Sequence, residues 1–227
     1  MTTAPGQQRT VLVLRPEPGA TQTIQKLQQS GVNSVALPLF VINAVGWAVS
    51  DPMEYDALLL TSANAVRLAG EQLEKLAHLP CWCVGSMTAT AARNAGLTVA
   101  RTGDGGVDQL LADVTAPTRF LWLAGREHHP ANPPSYVIVT PVIVYTAAPS
   151  AVDPARLAGP AIALLHSARA AERLSALAPN RAMIEIVAIS AHVASAAGDG
   201  WAAVHCAHQP KDSEMVAMAV KLCQKQV

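Results

Sequence analysis

Three features of the sequence predict an α/β protein of two hinged α/β domains with parallel sheets, related by internal duplication and joined by a two-stranded connector. The first is the alternation of short apolar strands with helical segments, the pattern of parallel sheets in α/β folds. The second is a repeat. Residues 58–67 read LLLTSANAVR and residues 163–171 read ALLHSARAA; in each, an apolar run breaks at a hydroxyl residue into alanine-rich helix formers. Downstream, CVGSMTATAARNAG and IVAISAHVASAAGDG match again. Ser62 to Gly85 spans 85 − 62 = 23 positions, as Ser167 to Ser190 does (190 − 167), and the copies are offset by 190 − 85 = 105. The third is a pair of long extended segments, SVALPLFVINAV (34–45) and VIVTPVIVYTAAP (137–149), each carrying a proline, Pro38 or Pro141, that a strand tolerates at an edge or a bulge. They lie between the halves of the duplication and are expected to pair.

Each element follows in order. VLVLRP (11–16) is a strand ending in Arg15, and ATQTIQKLQQSG (20–31) is an amphipathic helix stopped by Gly31. After the first extended segment come the strand YDALLLTS, a helix over 63–78, the strand CWCVG, a helix over 87–95, the strand LTVARTG and the helix GVDQLLADV. TRFLWLAGRE (118–127) opens like the N-terminal strand and again ends in an arginine. The second copy then runs strand, helix, strand, helix, strand to VHCAHQP, and SEMVAMAVKLCQKQ is the last helix. Pairing of the two extended segments makes residues 1–37 and 147–227 one discontinuous domain and 38–146 the other. Two such lobes on a double connector predict a hinge, with ligand bound at the carboxyl ends of the strands.

Composition limits what the chain can do. Of 227 residues, 51% are hydrophobic, enough for a sizeable core. Lys plus Arg and Asp plus Glu stand at 16 each, so no net basic field holds a nucleic acid or an anionic membrane, and an acidic ligand must be held locally. No stretch reaches the roughly 18 apolar residues of a membrane span, and MTTAPGQQRT has no signal-peptide pattern, so a cytoplasmic protein is expected. Cys81, Cys83, Cys206 and Cys223 are too sparse for a disulfide scaffold and read as free thiols, the first two on one face of a strand. His128 and His129 have no carboxylate or thiolate cluster beside them, so no metal is expected. No GxGxxG or GxxxxGK[ST] follows a strand, which argues against a nucleotide-binding α/β protein.

TSANAV after a strand, VGxxTAxAA about twenty residues later, the basic strand end LVLRP, and VxVY before the return to the first lobe together resemble the uroporphyrinogen-III synthase family. The resemblance covers essentially the whole chain in order. It implies two hinged α/β domains, no cofactor, and closure of the linear tetrapyrrole hydroxymethylbilane to uroporphyrinogen III with inversion of ring D. The implied partner is this small molecule alone, with no nucleic acid, no membrane and a monomeric chain. Backbone N–H groups at helix N-termini suit the substrate's carboxylates: Thr61, Ser62, Ala63 and Asn64 at one, Thr88 at the next, and His166, Ser167 and Ala168 at a third. Each hydroxyl also reads as a plain helix cap. Arg15 and Arg126 follow strands, where a guanidinium can grip a carboxylate with two hydrogen bonds. Tyr145 matches the family's tyrosine at the end of the second connector and is the expected donor to the departing hydroxyl.

The chain departs from the family pattern twice. In the second copy the threonine position holds Val193, with His192 beside it as a substitute donor. After AGRE, where the family usually has a helix, HHPANPPSYV is short and too proline-rich to form one, so one sheet face of that lobe needs another cover. A non-catalytic two-lobe binding protein, or a degenerate synthase homologue, is the alternative function.

Overall fold

The computed structural model describes residues 9–49 and 51–224. The chain begins with β1 (Thr10–Val13), whose apolar run buries Val11, Leu12 and Val13, and α1 (Gly19–Gln29), which buries Gly19, Ala20, Thr23 and Leu27 at helical spacing. β2 (Ser34–Ala36) and β3 (Phe40–Ala44) follow, then β4 (Ala57–Leu60), α2 (Ala63–Leu68), β5 (Cys81–Val84), α3 (Ser86–Asn94), β6 (Val99–Gly103) and α4 (Val107–Ala112). β7 (Thr118–Gly125) leads to the long β8 (Val137–Pro149). The remainder is β9 (Ala161–Leu165), α5 (Ala168–Leu177), β10 (Ile184–Ala188), α6 (Ala191–Ala197), β11 (Ala203–Cys206) and α7 (Asp212–Gln224). The last helix expected from the sequence runs past residue 224 into positions outside the described residues, as does the start of the N-terminal segment.

Two compact units result, one of Met1–Val41 with Pro149–Val227 and one of Ile42–Ala148. The first is a five-stranded sheet in the order β11-β10-β9-β1-β2, parallel throughout. The second is a six-stranded sheet in the order β3-β8-β7-β4-β5-β6, in which β4 to β8 are parallel. Without β3, the two orders are the same doubly wound arrangement, with the direction of winding reversing between β1 and β9 in one unit and between β7 and β4 in the other. The 23-residue spacing of the repeat now has a physical meaning. Ser62 and Ser167 cap α2 and α5, while Gly85 and Ser190 hold the cap positions of α3 and α6, so the gap is the distance from one helix start to the next.

β3 pairs with β8. The Val45 N–H donates to the Val144 carbonyl at 2.9 Å and the Ser150 N–H to the Leu39 carbonyl at 3.0 Å, so one partner number rises as the other falls and the strands run antiparallel. β8 has 13 residues and β3 only 5, so Pro141 lies on a stretch of β8 beyond the end of β3, where its missing N–H breaks no bond of that pair.

Two local expectations change and a third holds. The extended segment 34–45 is two strands, not one: the chain breaks over Leu37, Pro38 and Leu39, leaving β2 in one sheet and β3 in the other. The helix expected over 63–78 stops at Leu68 and restarts as a 3-10 helix over Gly70–Leu76, because Gly70 adopts φ 65°, a left-handed conformation that ends an α-helix. No helix connects β7 to β8, as the prolines predict. In the second unit, α2 and α3 cover one sheet face over Leu58, Leu60, Cys81, Cys83, Leu121 and Leu123. On the other face α4 packs Leu110 and Leu111 over Leu59, Phe120 and Trp122, and Ala131 of the β7–β8 loop packs against the same cluster. Two hydrogen bonds pin that loop toward α4: the Asn132 N–H donates to Asp108 Oδ1 at 2.7 Å, and the Tyr136 hydroxyl donates to the Val114 carbonyl at 2.7 Å.

Candidate active site

In the first unit the expected residues gather where the sheet order reverses, at the carboxyl ends of β1 and β9. Arg15 follows β1, His166 follows β9, and both meet Asp212, the first residue of α7. Arg15 Nη1 lies 3.3 Å and His166 Nε2 3.0 Å from Asp212 Oδ1; the Thr23 hydroxyl donates to the same oxygen at 2.6 Å, and Lys26 Nζ lies 2.6 Å from Oδ2. Burial works against ionisation of this carboxylate, but hydrogen bonds from His166, Lys26 and Thr23 outweigh it and hold Asp212 well below the usual carboxylate range. Burial pushes the His166 imidazole below its ordinary value despite the bond to Asp212, with the Arg15 charge adding to the fall. An ionised carboxylate can only accept, so in this contact the His166 Nε2–H donates to Asp212 Oδ1. Gly19 belongs to this cluster too, since a Cβ there would run into the Arg15 guanidinium. The carboxylate Arg15 grips in this structure is thus the chain's own.

Ser167 spends its hydroxyl on the cap, accepting from the Ala170 N–H at 3.3 Å, and Ala168 opens α5 behind it. Val193 is buried, as Thr88 is at the equivalent place 105 residues earlier, and the Val193 N–H donates to Ser190 Oγ at 3.4 Å. The missing hydroxyl of the second copy is therefore a core position filled by an isostere. His192 lies exposed in the first turn of α6.

In the second unit the corresponding reversal is at the carboxyl ends of β4 and β7. Thr61 Oγ1 accepts from Trp122 Nε1 at 3.1 Å, tying the two strand ends together. Ser62 Oγ accepts from the Asn64 N–H at 3.2 Å, and Asn64 Oδ1 accepts from Arg67 Nη1 at 3.3 Å, so the cap occupies the Asn64 amide and leaves Ala63 at the head of α2. Gly85 caps α3 at φ 80° with no side-chain acceptor; Thr88 lies in that first turn with its side chain buried. The Arg126 side chain is exposed, and its N–H donates to the Tyr145 carbonyl at 2.9 Å. Tyr145 is half-buried, its ring lying directly against Gly125 at the end of β7. Thr61, Trp122, Gly125, Arg126 and Tyr145 thus come together at one end of this sheet, with Ser62 and Ala63 following Thr61.

Sequence reasoning missed seven residues of these clusters, among them Gly19, Thr23 and Lys26, which read as ordinary residues of the first helix and its start. Asp212 stands 197 positions from Arg15, and only its place at a helix start marks it. Trp122 and Gly125 read as ordinary members of a strand. Glu127, which accepts from the Thr146 hydroxyl at 2.8 Å and the Ala147 N–H at 3.1 Å, reads in the sequence only as the last residue of the segment 118–127. Among the described residues no group of three or more His, Cys, Asp or Glu side chains converges to hold a metal, and no helix is long and apolar enough to cross a membrane.

Against known proteins, residues 21–217 match the family described as uroporphyrinogen-III synthase HemD. A uroporphyrinogen-III synthase of Chlorobaculum parvum is 30% identical over 100 residues, which span 40% of this chain and 41% of that protein. The crystal structure of uroporphyrinogen-III synthetase from Helicobacter pylori superposes with a TM-score of 0.66 at 17% identity, covering 94% of this chain and 99% of that one. A mutant uroporphyrinogen III synthase from Thermus thermophilus gives a TM-score of 0.55 at 15% identity, covering 96% and 100%.

Proposed function

The chain belongs to the uroporphyrinogen-III synthase family, and from that premise we propose that it closes hydroxymethylbilane to uroporphyrinogen III with inversion of ring D and release of water, in tetrapyrrole (haem) biosynthesis. The family match over 21–217 carries this reading, because it takes in both units and every residue singled out at the strand ends except Arg15. In the reaction the C–O bond of the hydroxymethyl group breaks, the hydroxyl leaves as water with an added proton, and the methylene carbon of the resulting azafulvene is attacked by the substituted carbon of ring D to give a spiro intermediate. The older bond from that carbon to its bridge then breaks, and the free α-carbon of ring D bonds to the bridge and gives up its proton, which leaves the ring inverted. The chain's part is to fold the substrate, orient ring D and assist departure of the hydroxyl.

Tyr145 is the proposed proton donor. Support comes from its ring lying against Gly125 at the carboxyl end of β7, the strand that borders the winding reversal of the second sheet, which is the usual ligand end of such a fold. The first-turn amides after Ser62, Gly85 and Ser167 and the exposed Arg126 guanidinium are proposed to hold substrate carboxylates. Arg15 and His166 join them through the Asp212 cluster, and His192 is an outlying donor. The reading takes the protein to be a cytoplasmic monomer that uses no cofactor and acts on a small molecule; the balanced charge supports the absence of a nucleic-acid partner.

Hydroxymethylbilane closes unaided to the uninverted type I isomer, so the test is diversion of product to type III, measured by oxidising the products and separating the isomers. The wild type is expected to yield type III. Tyr145→Phe keeps the ring and removes the donor, and is expected to slow type III formation by about a hundredfold or more. A loss of about tenfold or less would reduce Tyr145 to a positioning hydrogen bond. Type I product alone from the wild type would mark a homologue that keeps the fold without the reaction.

A further inference from the structure

The pairing of β7 with β8 is regular from Thr118 opposite Val137 to Ala124 opposite Ile143, and then slips: Gly125 lies opposite Tyr145, and Val144 is opposite no residue of β7. Such a bulge re-aims the side chains beyond it. Val142 and Val144 pack on the sheet face covered by α2 and α3, and Ile143 on the opposite face, so simple alternation would send Tyr145 to the face of Ile143. Tyr145 instead packs on the α2 and α3 face beside Val144.

Two residues hold that geometry. A Cβ on Gly125 would come within 2.5 Å of Tyr145 Cζ, 2.6 Å of Cε2 and 2.8 Å of the hydroxyl oxygen, so the ring occupies the place of a side chain at position 125. The glycine is needed for space, since its φ lies outside the left-handed region. Just beyond the tyrosine, Glu127 accepts the Thr146 hydroxyl at 2.8 Å and the Ala147 N–H at 3.1 Å, while the Arg126 N–H donates to the Tyr145 carbonyl at 2.9 Å. Residues 145–147 are thereby stitched to 125–127.

We infer that Gly125 and Glu127 are positioning residues that set the Tyr145 phenol on the α2 and α3 face of the sheet for the reaction. The inference rests on Tyr145 being the proton donor. Because the atoms a new Cβ would meet are the far end of a side chain and not backbone, Gly125→Ala is expected to move the phenol and leave the sheet in place.

The experiment combines kinetics with 19F NMR of protein carrying 3-fluorotyrosine. The chain has 3 tyrosines, and Tyr145→Phe assigns the Tyr145 resonance by deleting it. Gly125→Ala is expected to shift that resonance, with those of Tyr55 and Tyr136 unmoved. It should also lower kcat for type III formation about as far as Tyr145→Phe does, roughly a hundredfold, with KM changed little. Added to Tyr145→Phe, it should lower kcat little further. Glu127→Gln replaces one acceptor oxygen with a donor and is expected to shift the same resonance and lower kcat less. An unmoved Tyr145 resonance in both variants, or an unchanged kcat in Gly125→Ala when Tyr145→Phe is impaired, overturns the inference. Movement in Gly125→Ala alone removes Glu127 from it. If Tyr145→Phe keeps full activity although Gly125→Ala shifts the resonance, the packing stands but the reading of Tyr145 as donor fails, and the catalytic role of both residues with it.

Discussion

Asp212 gathers an arginine, a lysine, a threonine and a histidine around one carboxylate, and the signs of the two shifts there fix how stability responds to acid. His166 is held below its ordinary value in the folded chain, so on acidification the unfolded chain takes up that proton first. The stability due to neutral His166 is complete above about pH 6.5 and is lost as pH falls through its folded value. Asp212 is likewise held low, so its contribution is complete above about pH 4 and is lost further into acid. Both effects weaken the fold on acidification, His166 first. Asp212→Asn removes the lower of the two steps and leaves Arg15 and Lys26 without their counter-charge. It should reduce unfolding free energy near neutral pH by about 1–3 kcal/mol. Urea unfolding of both proteins at several pH values between about 3 and 8 checks this; parallel pH profiles would remove Asp212 from the acid response. None of this cluster's pairing could be read from sequence, since its members lie up to 197 positions apart and only the sheet order brings them together.

At the scale of elements, the loop from β7 to β8 does the work of the helix its prolines forbid. Ala131 packs on the sheet face, His128 sets its ring edge-on to Trp122 at 4.7 Å between centroids, and Tyr136 bonds the Val114 carbonyl. Tyr136→Phe keeps the ring and removes that bond, and is expected to destabilise the protein by about 1 kcal/mol with type III formation unchanged. Thermal melting with the isomer assay checks both halves, and an unchanged melting temperature would mean the hydroxyl does not pin the loop. The absence of the helix was legible because proline's missing N–H and fixed φ act locally. The strands were legible for a similar reason: AIALL and ALLL are fully buried runs bounded by caps. The break in 34–45 was not, since Leu37 and Leu39 are buried as core strand residues would be, and only membership in two different sheets separates β2 from β3. The split of the helix after Leu68 had a local signal in Gly70, which the apolar periodicity outweighed. At the candidate site the cap serines were readable from the repeat. The slip that re-aims Tyr145 was not, because it exists only in the pairing of two strands.

For the molecule as a whole, the duplication gives each unit its own doubly wound sheet and its own core, and buried thiols are distributed over both. Cys81 and Cys83 lie in the core beneath α2 and α3, and Cys223, on α7, lies in the core of the first unit that α1 and α7 help to form. Burial pushes Cys81 up to about 12 and Cys83 up to about 11, and raises Cys223, so at neutral pH all three are neutral and sheltered. Cys206 alone is exposed. A brief pulse of iodoacetamide on the native protein should therefore label Cys206 and spare the other three; prompt labelling of Cys81 or Cys83 would contradict their burial. The four sulfurs thereby give the protein a natural set of timed reporters. With Cys206 as an internal standard for reagent exposure, mass spectrometry of the alkylated peptides along a denaturant series records when each core admits solvent. Cys223 reports for one unit and Cys81 with Cys83 for the other, so the order in which the two duplicated halves unfold can be followed with the native sequence and no introduced cysteine.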